Sequence, residues 1–446
     1  MAREAGPLLR RAFDAAVAAC HPSVALSGRL PHARNGRLLI LGAGKPAAAM
    51  AAVAEEHYAS EGVEVAGAVV APYGHSGSRG RIELLESSHP VPDGASVLAA
   101  ERLLSLADSV GVGDQVLCLI GGGGSALLCC PQGVSLADKV GLTRQLLASG
   151  ADIKEINTVR KHLSGVKGGR LAARIHPATV HTLAISDVVG DDPATIAAGP
   201  TVGDSTTFLD ALDVLSRYSL DAPLVRRALE AGVRGDVPET LKPGDPRLLG
   251  ASFEIVASNQ TALAAAARVF ESAGCAAEIT ETPEVGEARV AAQAKARVVA
   301  RLLEGGGPTR PTALLSGGEV TVTLGDRAAN ASASRGGPNG EYALAFAAAL
   351  REELARAWPH AAVEQALARV CILSADSDGI DGVSGFAGAL FGPGELVRLD
   401  PAAISRAVSS HDSNSLLELN RTVLVTGPTQ TNVNDLRFIL VLPEAD

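Results

Sequence analysis

Aromatic residues are scarce in this chain, at 3% of 446 residues. With so few large rings, alanine, leucine and valine must fill any core. Small side chains of that kind suit alternating helices and parallel strands, whose layers approach closely. Cysteine is sparse too. Cys20, Cys118, Cys129, Cys130, Cys275 and Cys371 contain no CxxC pair, and none stands beside histidine at zinc-ligand spacing. Several lie in apolar runs, where a buried free thiol is expected, and the chain reads as reduced and cytoplasmic. No stretch approaches the uninterrupted apolar length of a membrane span. Residues 1–20 mix acidic and basic side chains without an apolar h-region, so they read as an amphipathic helix and not as a signal peptide. No dense Lys/Arg run occurs and the net charge is −10, which argues against a nucleic-acid partner.

What is present is enough apolar material for two cores: 47% of the residues are hydrophobic, and the length exceeds what one core usually spans. Residues 37–41, 63–71, 115–120 and 180–185 read as buried strands, with helices over 47–59 and 97–106 between them. Strand, tight loop, helix, strand is the signature of a parallel sheet with crossover helices. Pro238, Pro243, Gly244 and Pro246 crowd together, so the domain boundary is expected there, giving domains 1–245 and 246–446. The second half is again α/β, with strands expected at 254–257, 312–315, 369–374 and 422–426 and helices at 261–273 and 341–356.

Five segments could carry chemistry. Gly42-Ala43-Gly44-Lys45 follows a strand and opens a helix, so its backbone N–H groups could face an anion with Lys45 as the cation. The same residues, Gly42-x-Gly44-x-x-Ala47, also fit a dinucleotide fingerprint. The plainer reading is a tight turn with a solvated lysine. Gly121, Gly122, Gly123, Gly124 and Ser125 follow another strand; four glycines there suggest that phosphate approaches the backbone closely. From Arg160 to Arg170 there are five cations if His162 is counted, and on a helix Asn157, Arg160, Lys161 and Ser164 share one face. That face could grip carboxylate or phosphate, or be merely solvated. Asp187 sits at a strand end, suited to metal or proton chemistry; Asp192 is expected to cap the next helix, and Asp191 could do either. In the second half, Ser316 to Glu319, Arg335 to Glu341, Asp376 to Gly382 and Thr426 to Asn432 read as polar glycine-rich loops. The Asp376 loop has no glutamate where a calcium loop would end, so it reads as a turn with Asx hydrogen bonds.

In combination, Gly42-Ala43-Gly44-Lys45, Ser88-His89-Pro90-Val91-Pro92-Asp93, Asn157 to Arg170, Ser186 to Pro200, Asp378-Gly379-Ile380-Asp381-Gly382 and Thr431-Asn432-Val433-Asn434-Asp435 resemble the class II glycerate 2-kinases, the family with a MOFRL domain. The resemblance covers nearly the whole chain. It implies a larger Rossmann-like N-terminal domain and a smaller α/β C-terminal domain, with the active site between them. It also implies ATP and Mg²⁺, D-glycerate as acceptor, and 2-phosphoglycerate as product. The lysine of such a Gly-x-Gly-Lys loop is a key residue, here Lys45, next to Gly44. Where the family loop commonly reads Gly-Gly-Arg-Asn-Gln-Glu, this chain has Pro338 for the arginine and Gly340 for the glutamine, with Asn339 and Glu341 matching; Arg335 is the expected replacement cation. Gln430 stands where a glycine is common.

The expected mechanism is in-line phosphoryl transfer. Lys45, Asp187 and Arg335 are the catalytic candidates. Gly121 to Ser125, Asn157, Arg160, Lys161, Asn339 and Glu341 would bind substrate or phosphate, and Asp187 and Asp191 would hold the metal. An alternative is an NAD(P)-dependent hydroxypyruvate reductase, with His89 or His162 as proton donor, and a third is a non-catalytic ligand-binding regulator. The expected partners are small molecules, with no nucleic acid and no membrane. The oligomeric state is left open, a homodimer included.

Overall fold

The computed structural model describes residues 4–34, 36–74, 80–324 and 336–444 and divides into two compact units, Pro22–Val256 and Met1–His21 with Ala257–Asp446. The first unit is built on a six-stranded sheet: β1 (Leu38–Ala43), β2 (Val65–Pro72), β3 (Ile82–Ser87), β4 (Gln115–Gly121), β5 (Thr179–Ile185) and β6 (Ala251–Ala257), in the order β3-β2-β1-β4-β5-β6. The pairings β1–β2, β1–β4, β2–β3 and β4–β5 are parallel. Strands β1 and β4 are buried at every position, as continuous apolar runs covered on both faces should be. The helix Ala47–Ser60 follows β1, and Gly94–Ala107 starts with a capping box in which Asp93 accepts from the Ser96 N–H.

The second unit has a mixed sheet: β7 (Ala276–Ile279), β8 (Glu284–Glu287), β9 (Thr312–Thr321), β10 (Val370–Asp376), β11 (Gly388–Phe391), β12 (Val423–Leu424) and β13 (Asp435–Val441). Its order is β12-β11-β10-β13-β9-β7, with β8 also on β9. The helix Pro338–Ala355 lies in its core and is buried nearly all round, by Tyr342, Ala343, Leu344, Phe346, Ala347 and Leu350 among others. Alanine dominates these contacts, as the shortage of rings required.

Three expectations change. The division at residue 245 meets compact units that part elsewhere. After the proline-rich segment the chain still adds β6 to the first sheet, and the helix Ala5–Cys20 packs instead on Asn259–Ser272 of the second unit. Secondly, Ser316 to Glu319 is strand and not loop. Gly317 has no room for a side chain, since a Cβ would stand 1.7 Å from Asn259 Oδ1, and a Cβ on Gly318 would stand 2.2 Å from the Glu284 carbonyl oxygen. Glycine is there for close packing. Thirdly, the helix carrying Asn157 spans Ile153–His162, so Ser164 falls outside it.

Candidate active site

The first sheet reverses its winding between β1 and β4. At such a switch point the loops leaving two neighbouring strands diverge and open a crevice at the carboxyl ends. Gly44 and Lys45 leave β1, and Gly122 to Ser125 leave β4, so both glycine turns flank that crevice. The Lys45 N–H donates to the Gly122 carbonyl at 2.8 Å. Gly44 has φ 143°, and a Cβ there would lie 2.7 Å from the Gly121 carbonyl carbon and oxygen, so only glycine permits this approach.

The two turns differ in what their amides do. Gly44, Lys45 and Ala47 donate to Val70, Gly122 and Gly44 carbonyls at 3.1, 2.8 and 3.1 Å, and Pro46 has no N–H. The first turn therefore has no amide left for a pyrophosphate. In the second turn, the N–H groups of Gly122, Gly123, Gly124 and Ser125 meet no acceptor among the described residues. The Ser125 hydroxyl is buried without a partner among the described residues. His89 closes in beside this turn: a Cβ on Gly123 would stand 2.9 Å from its ring.

Asp187 lies half-buried two residues beyond β5, in which Ile185 pairs with Gly121 of β4. Asp191 has a left-handed backbone, φ 52°. Asp192 does not cap a helix: it accepts from the Ala194 N–H at 3.1 Å and the Thr195 hydroxyl at 2.7 Å within a turn, and the short helix that follows, Ile196–Ala198, has Thr195 at its N-cap with no side-chain cap. Among the described residues no three His, Cys, Asp or Glu side chains converge as a metal-ligand set. Magnesium carried by a nucleotide asks for less, commonly one or two carboxylates beside phosphate oxygens and water. Asp187 and Asp191 both lie half-buried on the segment that follows β5.

The helix Ile153–His162 brings Asn157 and Lys161 into buried positions and leaves Arg160 half-buried. Lys161 is taken up inside the protein, 3.4 Å from Asp204 Oδ1. Burial opposes the charge on Asp204, yet Lys161 and the Thr206 hydrogen bonds hold its carboxyl below the usual range. His162 is fully enclosed, with Nδ1 2.7 Å from the Thr158 carbonyl and Nε2 2.9 Å from Glu239 Oε1. The Asn157 side-chain oxygen has no partner among the described residues.

Two lysines not chosen from the sequence join this group. Lys139, 4% exposed, donates to the Leu163 carbonyl at 2.9 Å. Lys167, 1% exposed, donates to the Ser125 and Leu128 carbonyls at 2.9 and 3.1 Å. Burial pushes Lys139 down to about 8. It lowers Lys167 well below an ordinary lysine, reinforced by the charges of Lys139 and Arg160. Lys167 stood in the basic run and was legible as a cation. Lys139 lies on an ordinary amphipathic helix, Leu136–Ser149, and no local signal marks it.

In the second unit the polar loops gather at one sheet end, where Asp435 pairs with both Asp376 and Gly318. Asp376 and Asp378 accept from the N–H groups two residues on, the expected Asx turns. Asp381 accepts from the Asn339 and Gly340 N–H groups at 2.9 and 2.8 Å, capping Pro338–Ala355 from a distant loop. The Asn339 side chain donates to Asp435 at 2.6 Å and accepts from Ser374 at 2.7 Å. Glu341, 2% exposed, faces His411 Nδ1 at 2.9 Å and Arg289 Nε at 2.8 Å. Both expected ligand residues thus have their polar atoms engaged internally. Arg335 lies outside the described residues.

A parallel sheet with a glycine-rich turn at its switch point, joined in one chain to a mixed-sheet unit, defines a two-unit α/β architecture. Residues 8–230 match a family model described as a domain of unknown function, DUF4147, and residues 312–435 match the MOFRL family. A putative hydroxypyruvate reductase of Agrobacterium vitis is 43% identical, covering 97% of this chain and 94% of that protein. The glycerate 2-kinase of Pyrococcus horikoshii is 37% identical over 91% of this chain and 88% of its own. The crystal structure of glycerate kinase from Thermotoga maritima superposes with a TM-score of 0.81 at 34% identity, covering 98% of this chain and 99% of that one. The chain belongs to the class II glycerate kinase family.

Proposed function

We propose that this chain transfers the γ-phosphate of ATP to the 2-hydroxyl of D-glycerate, giving 2-phosphoglycerate and ADP. One observation carries the reading: four successive backbone N–H groups, Gly122 to Ser125, without acceptors among the described residues and beside Lys45. Such a turn suits a phosphate group that must be held without bulky side chains. In the reaction the C2 hydroxyl oxygen attacks the γ-phosphorus, the bond to the bridging oxygen breaks, and ADP leaves with that electron pair. Positioning and charge neutralisation dominate such a step. Lys45 neutralises the transferring phosphoryl, and the glycine turn holds phosphate oxygens. Asp187 takes the hydroxyl proton or, where it would hold Mg²⁺ with Asp191, that proton passes to an oxygen of the transferred phosphoryl group; Arg335 supplies a further cation. Lys161, Asn339 and Glu341 act through the internal bonds described above. Mg²⁺, when bound, neutralises charge on the phosphoryl oxygens. The setting is the cytoplasm.

The reductase reading draws support from the name of the Agrobacterium relative. Two features weigh against it. The turn after β1 has used its amides internally, and His162, although paired with Glu239, has a side chain with 0% exposure and so reaches no substrate. One experiment separates them: ADP release with D-glycerate, ATP and Mg²⁺, against NADH oxidation with hydroxypyruvate. Hydride transfer without ADP release would overturn the kinase reading. Identification of the product isomer tests the hydroxyl assignment.

A further inference from the structure

Three helices of the second unit, Ala288–Glu304, Pro338–Ala355 and Pro401–Ser409, line a groove of about 360 Å³. Short side chains on the middle helix leave the space: Ala345, Ala348 and Ala349 form an apolar floor with Ile404. A cavity of this size stands at the small end of those that take small molecules. Two cations line it, Arg289 and Arg351. Arg351 is engaged: its Nη2 donates to the Leu396 and Val397 carbonyls at 3.2 and 3.3 Å, and its Nη1 lies 3.6 Å from Glu364. Arg289 is half-buried and has donors to spare. Its Nε faces Glu341 Oε1 at 2.8 Å and its Nη2 is 4.0 Å from Glu287, but neither Nη group makes a hydrogen bond among the described residues.

A guanidinium fork pairs with a carboxylate through two parallel hydrogen bonds. The acidic groups around Arg289 decide between anions. Glu287 and Glu341 lie beside it and the exposed Glu352 stands on the groove, so a doubly charged phosphate meets repulsion where a single negative charge meets less. Glu341 also ties the groove to the loop ahead of the middle helix. Its buried carboxylate is held from two sides, by Arg289 on the first helix and by His411, two residues past the third, at 2.9 Å. That loop fits closely against the same segment. A Cβ on Gly336 would stand 2.8 Å from the His411 carbonyl oxygen, and one on Gly340 would stand 2.8 Å from Ser413 Oγ. An anion on Arg289 therefore shares the guanidinium that steadies Glu341.

We propose that this groove is an effector site for a compact organic monocarboxylate, whose carboxylate sits on the Arg289 Nη groups and whose apolar body lies on the alanine floor, and that its occupancy is felt by the Gly336–Glu341 loop through Arg289. The site lies wholly within the second unit and uses none of the groups assigned to phosphate. Binding does not depend on the kinase reading; only the readout by turnover does.

The test uses the full chain as wild type, Arg289→Gln, Arg289→Lys and Ala348→Leu, with benzoate, acetate and inorganic phosphate titrated separately by ligand-observed NMR. Benzoate carries both the carboxylate and an apolar body, so it is expected to bind more tightly than acetate or phosphate. Arg289→Gln removes the fork and Ala348→Leu fills the floor; each is expected to weaken benzoate about tenfold or more, with Arg289→Lys recovering part of the first loss. Benzoate is also expected to lower kcat of the wild type at saturating D-glycerate and ATP, and to leave that of Ala348→Leu unchanged. Should Arg289→Gln fail to fold, Ala348→Leu decides alone. Absence of saturable benzoate binding, or affinities within about twofold of wild type in the folded variants, would overturn the site. Phosphate bound more tightly than benzoate through Arg289 would overturn the carboxylate assignment, and benzoate binding that leaves kcat unmoved would overturn the coupling. A protein that releases no ADP with glycerate, yet binds benzoate through Arg289, would remove the kinase reading and leave the groove standing.

Discussion

Lys45 is the residue on which the proposed mechanism is most directly tested, and its backbone N–H is pinned to the Gly122 carbonyl at 2.8 Å. Lys45→Ala is expected to lower kcat roughly 100-fold or more, the usual loss when one preorganised charge or donor is removed, with the circular dichroism spectrum unchanged. Near-wild-type turnover would remove it from the mechanism. Asp381 makes a different prediction. Burial lifts its carboxyl to about 7, although the N–H groups of Asn339 and Gly340 pull the other way. The folded state therefore keeps this proton to higher pH than the unfolded chain does. Its contribution to stability is complete below about pH 4 and is lost as pH rises through about 7. Melting temperature should fall across that window, and Asp381→Asn should flatten the fall. Single residues were partly legible. Lys45, Asp187, Arg160 and the glycine run are marked by local pattern, whereas Lys139 and the Asp381 cap become visible only when distant segments meet.

At the scale of elements, the turn after β1 and the turn after β4 work as a pair. Gly44→Ala would place a methyl group against the Gly121 backbone and force φ 143° on a residue that resists it. A loss of about 1–3 kcal/mol in stability is expected, together with a higher KM for ATP because the β4 turn is displaced. Chemical denaturation and steady-state kinetics read the two effects. Strands and helices near this pair follow their apolar runs closely: 115–120 became Gln115–Gly121, and 47–59 became Ala47–Ser60. Ser316 to Glu319 misled for a physical reason. Glycines chosen for tight contact with Asn259 and Glu284 carry the same letters as glycines chosen for a turn.

At the scale of the molecule, the helix Ala5–Cys20 belongs to the C-terminal unit, burying Leu8, Leu9, Ala12, Phe13 and Ala16. Leu9→Ala, at 0% exposure, is expected to cost about 2–5 kcal/mol in the unfolding of that unit. A fragment spanning 22–257, which keeps its whole sheet, should fold alone, whereas one spanning 246–446, which lacks that helix, should not unfold cooperatively. Calorimetry of the two fragments checks this. Nothing local in residues 1–20 says which core they join, because an amphipathic face specifies that it must be covered and not by what.

The amino-acid order by itself determined the α/β class, the strand-turn-helix units and the family, since periodicity, glycine placement and motif spacing are local properties written along the chain. Tertiary structure alone decided the switch point between β1 and β4, which amides remain unmatched among the described residues, and where the first helix packs. These depend on pairing between segments far apart in sequence, and burial and hydrogen-bond satisfaction exist only once that pairing is made.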